Sequence, residues 1–369
     1  MNPFLLRGYK CPTYFCDREN ETNKILTALK NSQDITLYGY RRLGKSALIK
    51  HVFYNLENEY NCIYVDIWGT TSIEDFSKTL INSTIQSKLL SKKKFTSKIL
   101  DLLKSIGASF TICSDGKPSV DIIYKEKNAE FNSIEELFYF IKTLKTPVIM
   151  AIDEFQEIRN YDKHLLFEAK LRALTQSIDN VNFIFSGSEK HLLSDIFTSH
   201  KMPFYQSTRM LSIDKISKIK YSDFITRHFK SAEKTIDAEV LDFILNESYR
   251  HTYYTQAMLN LLFSIKKKTV LLSEFKQLFK DYILEKSVYY SELPDLLTKQ
   301  QFMLLKAIGK KGIVKSPTSS GFLINSGIES SSSMHRLINS LLTKQILLKE
   351  NNSYRLYDVF LEHYIKFEN

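Results

Sequence analysis

The sequence predicts an α/β core, a parallel sheet with helices on both faces, followed by an all-helical segment and a helix-rich module with a short hairpin near its end. Three observations predict it. Between residues 34 and 186, short apolar runs (DITLY, NCIYVDIW, PVIMAID, VNFIFS) alternate with amphipathic stretches. Such alternation builds parallel sheets, because each crossover lays a helix on a face. After about residue 211 the strand-like runs vanish and helical period dominates to about 285. From about 286 the order becomes helix, helix, helix, hairpin, helix.

In order, 34–38 reads as the first core strand, and 47–54 opens a helix behind the loop that follows it. Residues 61–68 form a second strand. Ser72 caps a long helix with Glu74 and Asp75 in its first turn, where acids suit the positive helix end. Within 91–130, the stretch SDGKPSVDIIYKEKN reads as a turn and a polar strand, an insertion on the sheet edge. Residues 133–144 read as a capped amphipathic helix. Residues 147–153 are apolar on both faces, hence a central strand. Residues 164–178 are helical, and 181–186 form another buried strand.

Near the end, Ser330 caps a helix that carries Met334, Leu337, Ile338, Leu341 and Leu342 on one face. Two strands, 346–350 and 354–356, flank an Asn351-Asn352 turn. That order is a winged helix-turn-helix. The expected domains are 1–211, 212–285 and 286–369.

Composition is that of an ordinary globular protein, 43% hydrophobic and 25% charged over 369 residues. The net charge of +10 favours polyanionic partners. Lysine runs at 92–94 and 266–268 add to it. The four cysteines (Cys11, Cys16, Cys62, Cys113) show no CxxC spacing, which argues against a zinc site or a disulfide framework. No stretch approaches the ~20 apolar residues that span a bilayer, and the N-terminus lacks a signal-peptide core. A cytoplasmic protein with no membrane partner is expected.

The strongest motif is Gly39-Tyr40-Arg41-Arg42-Leu43-Gly44-Lys45-Ser46, with Ala47 next, between a strand and a helix. This is a phosphate-binding P-loop in its required context. Its glycines let backbone N–H groups close around phosphate oxygens, and the helix N-terminus adds positive charge. Lys45 is expected to bridge the β- and γ-phosphates of ATP, and Ser46 to give its hydroxyl to Mg²⁺. About a hundred residues on, the apolar strand 148–152 ends in Asp153-Glu154. Asp153 is expected in the Mg²⁺ shell, and Glu154 polarises the attacking water, so hydrolysis is favoured over passive binding. Ser186, before Gly187-Ser188, ends a further strand and is the candidate sensor of the γ-phosphate. Arg172 and Arg209 are the candidates to offset charge on the transferring phosphoryl group. Of Arg41 and Arg42, one is expected to contact phosphate or a neighbouring domain and the other to face solvent.

These residues together resemble a family. Tyr14-Phe15-Cys16-Asp17-Arg18-Glu19 is similar to the F-x-x-R-E segment before the P-loop of AAA+-related and STAND-type ATPases. The GYRRLGKS loop, the strand IMAIDEFQEI, the FIFSGS strand, PFY before Arg209 and the closing Tyr354-Arg355-Leu356-Tyr357-Asp358 resemble the archaeal-type ATPase family. The resemblance implies an ATPase core, a helical lid and a winged helix. It puts Asp17 and Arg18 near the adenine and ribose, and Ser186 in the sensor role. Residues 250–256 (RHTYYTQ) look like the family's G-H-P-Y-Y lid motif, with Arg250 and Thr252 departing from it. His251 and Tyr253 are the implied lid contacts.

The winged helix has two readings. Ser331, Ser332, His335, Arg336 and Asn339 lie on the polar face of its third helix and could enter a DNA major groove. Residues 286–369 carry eleven Lys/Arg against seven Asp/Glu, a modest excess, and the wing tip is Asn351-Asn352. The other reading packs the module on the core or on a partner protein. Two functions follow: a slow ATP-driven switch that presents or withdraws the winged helix, or a nucleic-acid-binding regulator in which ATP is mainly a structural ligand. An arginine supplied by another copy would require an oligomer. A place in a toxin–antitoxin or phage-defence assembly rests on the resemblance.

Overall fold

The computed structural model describes residues 1–87, 102–112, 118–122, 129–188 and 190–368. The expected turn over 114–117, the lysine run 92–94 and Cys113 lie outside these. The chain divides into two compact units, Arg7–Ile216, and Ser217–Asn369 together with Met1–Leu6. The first six residues thus belong with the C-terminal unit. Phe4 explains this: it is fully buried, with its ring against Phe224, Phe229 and Phe263.

The Arg7–Ile216 unit is built on a five-stranded parallel sheet in the order β2-β5-β6-β1-β7. The strands are β1 (Ile35–Tyr38), β2 (Asn61–Asp66), β5 (Val148–Asp153), β6 (Val181–Gly187) and β7 (Arg209–Ser212). Side chains alternate across the sheet, so β5 feeds both faces. Ile149 and Ala151 pack with Leu48, Ile49 and Val52 of α2 (Lys45–Leu56) and with Ile25 of α1 (Glu19–Lys30). Val148, Met150 and Ile152 pack on the opposite side, with Phe76 of α3 (Ile73–Gln86), Ile134 of α4 (Ala129–Lys142) and Phe167 of α5 (His164–Gln176). A further helix, α6 (Lys190–Thr198), adds Leu193 and Ile196 there.

Three details depart from expectation. First, the helix expected over 133–144 begins at Ala129, and Ser133 is not its cap: its hydroxyl donates back to the Ala129 carbonyl at 2.8 Å. Second, the polar strand expected on the sheet edge is not part of that sheet. It forms a separate antiparallel pair, β3 (Ala108–Ile112) with β4 (Pro118–Ile122). Asn82 of α3 anchors β4, its amide and carbonyl both bonding the Val120 backbone at 3.0 and 2.8 Å. Third, the edges of the sheet are β2 and the unexpected β7, which pairs with β1 from Ile35↔Arg209 to Tyr38↔Ser212.

The C-terminal unit runs α7 (Lys218–Ser231), α8 (Ala238–Glu247), α9 (Thr252–Ser264), α10 (Leu272–Leu284), α11 (Ser287–Tyr290), α12 (Leu293–Leu296), α13 (Lys299–Lys311), α14 (Ser320–Ser326), α15 (Ser331–Thr343), β8 (Leu347–Glu350), β9 (Ser353–Leu356) and α16 (Val359–Phe367). Leu304, Ile308, Met334, Ile338 and Leu356 centre the winged-helix core. Ser330 caps α15 by accepting from Ser333 N, as its sequence context predicts. A bridge between Val314 and Tyr354 widens the wing.

Candidate active site

In parallel sheets with crossovers, ligands gather at the carboxyl ends of the strands. That end of this sheet collects the phosphate loop after β1, Asp66 at the end of β2, Asp153 and Glu154 at the end of β5, and Gly187-Ser188 at the end of β6. The loop's turns need left-handed backbone at Arg42 (φ 62°) and Gly44 (φ 97°). Gly39 is required for space: a Cβ there would stand 2.5 Å from Ile213 Cγ2 and 2.7 Å from the Ile213 carbonyl oxygen. Lys45 is buried, and its ammonium donates to the Gly39 and Tyr40 carbonyls at 3.0 Å each. Burial pushes its pKa down, Glu154 and Asp153 push it back up, and the Arg41 charge adds to the depression.

Asp153 closes β5, buried, with two hydroxyls on one oxygen. Ser46 Oγ donates to Oδ2 at 2.6 Å and Tyr64 OH at 2.5 Å. Burial, then the Asp153 charge and hydrogen bond, drive the Tyr64 phenol upward. Glu154 adopts the left-handed region (φ 57°) at the mouth of a 3-10 turn, Phe155–Asn160. A non-glycine residue there costs on the order of 1–3 kcal/mol, so the surroundings must hold it. They do: Oε2 accepts from Gln156 Nε2 at 2.6 Å, from Ser188 Oγ at 2.8 Å and from Ser188 N at 3.2 Å. Beside it stands Asp66, the register partner of Asp153, its carboxyl raised chiefly by burial.

The structure brings most of the predicted residues together. Leu43 is buried, and its carbonyl accepts from Arg18 Nη2 at 3.3 Å. Asp17 and Arg18 are both left-handed, and Arg18 also pairs with Glu21 at 2.9 Å. The segment before α1 is thereby clamped to the phosphate loop. Tyr40 and Ala47 are half-buried beside it. Arg41 turns inward, its Nε donating to Ser188 Oγ at 3.2 Å, while Arg42 is exposed.

Other predicted residues fall elsewhere. Ser186 is fully buried on β6 opposite Leu37, and its hydroxyl has no hydrogen-bond partner among the described residues. The serine that touches Glu154 is Ser188. Arg209 and Arg172 do not join the cluster, which corrects their expected role within this site. Arg209 is the exposed first residue of β7 opposite Ile35. Arg172 acts electrostatically on Asp34, which precedes β1, and its guanidinium lies 5.9 Å from the Phe204 ring. Both therefore sit at the amino ends of the strands, about 10 Å of strand away from the phosphate loop. His251 and Tyr253 lie in the other unit, where both rings pack on Tyr254 at 4.9 and 5.2 Å. Sequence reasoning passed over Ser188, Gln156, Tyr64 and Asp66. A tyrosine and an aspartate in the otherwise apolar run NCIYVDIW were the available signal.

The donor set fits Mg²⁺ and a triphosphate. A hydroxyl and a carboxylate are the hard oxygens Mg²⁺ takes, usually in company with phosphate. Among the described residues no cluster of three or more His, Cys, Asp or Glu could hold a metal by itself. The buried Lys45 ammonium, facing the same acids, suits an anionic ligand.

Sheet, loop, lysine and paired acids define a P-loop ATPase with a C-terminal winged helix. The chain belongs to the family described as an ATPase domain predominantly from Archaea, which matches residues 15–252. Residues 288–367 match a probable winged helix domain. Among solved structures it is similar to the Walker-type ATPase Paby2304 of Pyrococcus abyssi, with a TM-score of 0.67 and 19% identity over 99% of each chain. It is also similar to the Orc2 protein of Aeropyrum pernix in ADPNP and ADP complexes (0.56, 10%, 100% and 96% of the chains). The Orc1 protein of Aeropyrum pernix in complex with DNA is a third (0.53, 13%, 100% and 96%). No curated protein sequence matches the chain.

Proposed function

We propose that the chain is an Mg²⁺-dependent ATPase whose nucleotide cycle presents or withdraws the C-terminal winged helix. The observation that carries the chemistry is the contact chain Ser46–Asp153–Glu154–Ser188 closing beside the buried Lys45. Bound Mg²⁺ would supply Lewis-acid charge on the phosphate oxygens, held by Ser46 and Asp153. Lys45 draws in the β- and γ-phosphates. Glu154 takes a proton from water as its oxygen bonds to the γ-phosphorus. The bond to the β-phosphoryl oxygen breaks, and ADP leaves with the electron pair. Gln156 and Ser188 orient the Glu154 carboxylate.

Phosphate release from wild type and Glu154→Gln tests the reading. The variant is expected to lose at least 100-fold in rate, in line with general-base contributions of 10²–10⁴, while still binding ATP. Equal rates in the two proteins would sink the assignment. The switch is tested by hydrogen exchange of α7–α16 with and without ATP and Mg²⁺. Identical protection in both would remove it.

A second reading, binding of nucleic acid by the winged helix, is favoured by the exposure of His335, Arg336 and Asn339 on one face of α15. Duplex DNA binding over a salt series, with Arg336→Ala beside wild type, tests it. Binding that ignores salt and variant alike would count against it.

A further inference from the structure

Charge on a transferring phosphoryl group calls for a cation beyond the loop lysine, and the expected candidates Arg172 and Arg209 face the wrong end of the sheet. We propose that Arg41, inside the phosphate loop itself, supplies that charge from the same chain, and that Trp68 is the positioning residue that aims it. This rests on the reading of the site as an ATPase. It names which arginine serves the reaction.

Three observations converge. Arg41 follows Tyr40, whose carbonyl accepts from Lys45 Nζ at 3.0 Å, so its backbone belongs to the phosphate cradle. Its Nε donates to Ser188 Oγ at 3.2 Å, and that hydroxyl donates to Glu154 Oε2 at 2.8 Å. The guanidinium is therefore two hydrogen bonds from the carboxylate assigned to the water. Lastly, its guanidinium carbon lies 5.1 Å from the centre of the Trp68 ring.

Trp68 is itself unusual. It is 58% exposed at the end of β2, where burial does not account for a large aromatic residue. Its backbone N–H donates to Asp66 Oδ1 at 3.0 Å, which fixes the turn that presents the ring. A flat aromatic face orients a planar guanidinium stacked on it. Two other arginines of this unit, Arg18 and Arg159, are already paired. Arg18 bonds Leu43 and Glu21, Arg159 bonds Glu168 and Asp195, and Arg42 is exposed. In the reaction Arg41 forms and breaks no covalent bond. Water adds to the γ-phosphorus, Glu154 holds the proton, and ADP and inorganic phosphate separate. Arg41 balances charge on the phosphoryl oxygens throughout.

The test uses the full chain and its single tryptophan. Arg41→Ala is expected to lower kcat by about 100-fold or more, and Arg41→Lys by about tenfold, since a point charge replaces a fork. Trp68→Leu is expected to lower kcat about tenfold with KM little changed, and Trp68→Phe to restore most of it. Trp68 emission should change on adding ATP and Mg²⁺ to the Glu154→Gln protein, and Arg41→Ala should abolish that change while ATP binding persists. Mixing Arg41→Ala with Lys45→Ala protein should restore nothing. Wild-type hydrolysis and an unaltered emission change in Arg41→Ala would overturn the assignment, provided Lys45→Ala and Glu154→Gln are inactive. Restored activity on mixing would place the arginine in another copy and overturn it too. Wild-type rates in Lys45→Ala and Glu154→Gln would instead bring down the ATPase reading beneath it.

Discussion

Gly187 shows how one backbone position governs the setting of the Glu154 carboxylate. A Cβ there would collide with the Gln156 side-chain oxygen and crowd Leu193. Gly187→Ala is expected to push Gln156 off Glu154 and lower kcat about tenfold or more, with ATP affinity retained. A kcat equal to wild type would show that Gln156 does not orient the carboxylate. Asp34 makes a separate case at the other end of the sheet. Its carboxyl is pushed up to about 6, mainly by burial, against the opposing effects of the Phe183 N–H and Arg172. Because the folded value lies above the unfolded one, the protonated form favours folding. That stability is full below about pH 4 and is lost as pH rises through about 6. Asp34→Asn keeps an acceptor for Phe183 N and removes the buried charge. The variant is expected to gain in Tm over wild type at pH 7.5 and to show less gain at pH 5. The same gain at both pH values would assign it to another cause.

At the scale of elements, α16 is the piece that joins the helical segment to the winged helix. Phe360 meets Tyr254 of α9 at 4.8 Å, Phe279 of α10 at 6.0 Å and Tyr282 at 5.8 Å. Glu362, buried on the same helix, accepts from Tyr249 OH at 2.8 Å and pairs with Lys366 at 2.6 Å. Arg355 stacks over Tyr249, 4.7 Å from its centroid. Residues 217–285 and the winged helix therefore belong to one unit, and a switch would have to carry them together. Glu362→Ala strands the Tyr249 hydroxyl and a partly buried ammonium. It is expected to cost roughly 2–4 kcal/mol and to lower the melting of α8–α10 and α13–α16 alike. Loss confined to one set of helices in hydrogen exchange would show the two to be separable. Some elements were misplaced in sequence for a clear reason. Ser133 followed by Glu136 has the spacing of a capping box, yet Phe131 is buried in the core. Packing of that ring carries the helix back to Ala129. The strand β7 is four residues long and half-exposed, too short to show a period of its own.

For the whole molecule, the net charge of +10 is the property most open to measurement. Residues 286–369, with eleven Lys/Arg against seven Asp/Glu, hold a net four of those ten charges. If α15 meets duplex DNA, affinity should fall by roughly tenfold or more between 50 and 200 mM salt for a handful of phosphate contacts. Arg336→Ala should flatten that slope by about one. A slope unchanged by Arg336→Ala would place the polyanion surface elsewhere on the chain. No helix among the described residues is long and apolar enough to cross a membrane.

The sequence by itself determined the sheet-and-helix core, the phosphate loop from Gly39 to Ser46, the paired acids Asp153 and Glu154, and the winged helix. Each of these is written in contiguous residues: a strand running into a glycine loop, a strand ending in acids, a capped helix before a hairpin. Local spacing suffices to read them. Only the tertiary structure decided that Ser188 touches Glu154, that Asp66 and Tyr64 flank Asp153, that Arg41 rather than Arg42 turns inward, and that Arg172 and Arg209 stand at the other end of the sheet. Those placements depend on which strands lie side by side and in what register. That is set by long-range packing of the two sheet faces, and it leaves no trace in the spacing of residues along the chain.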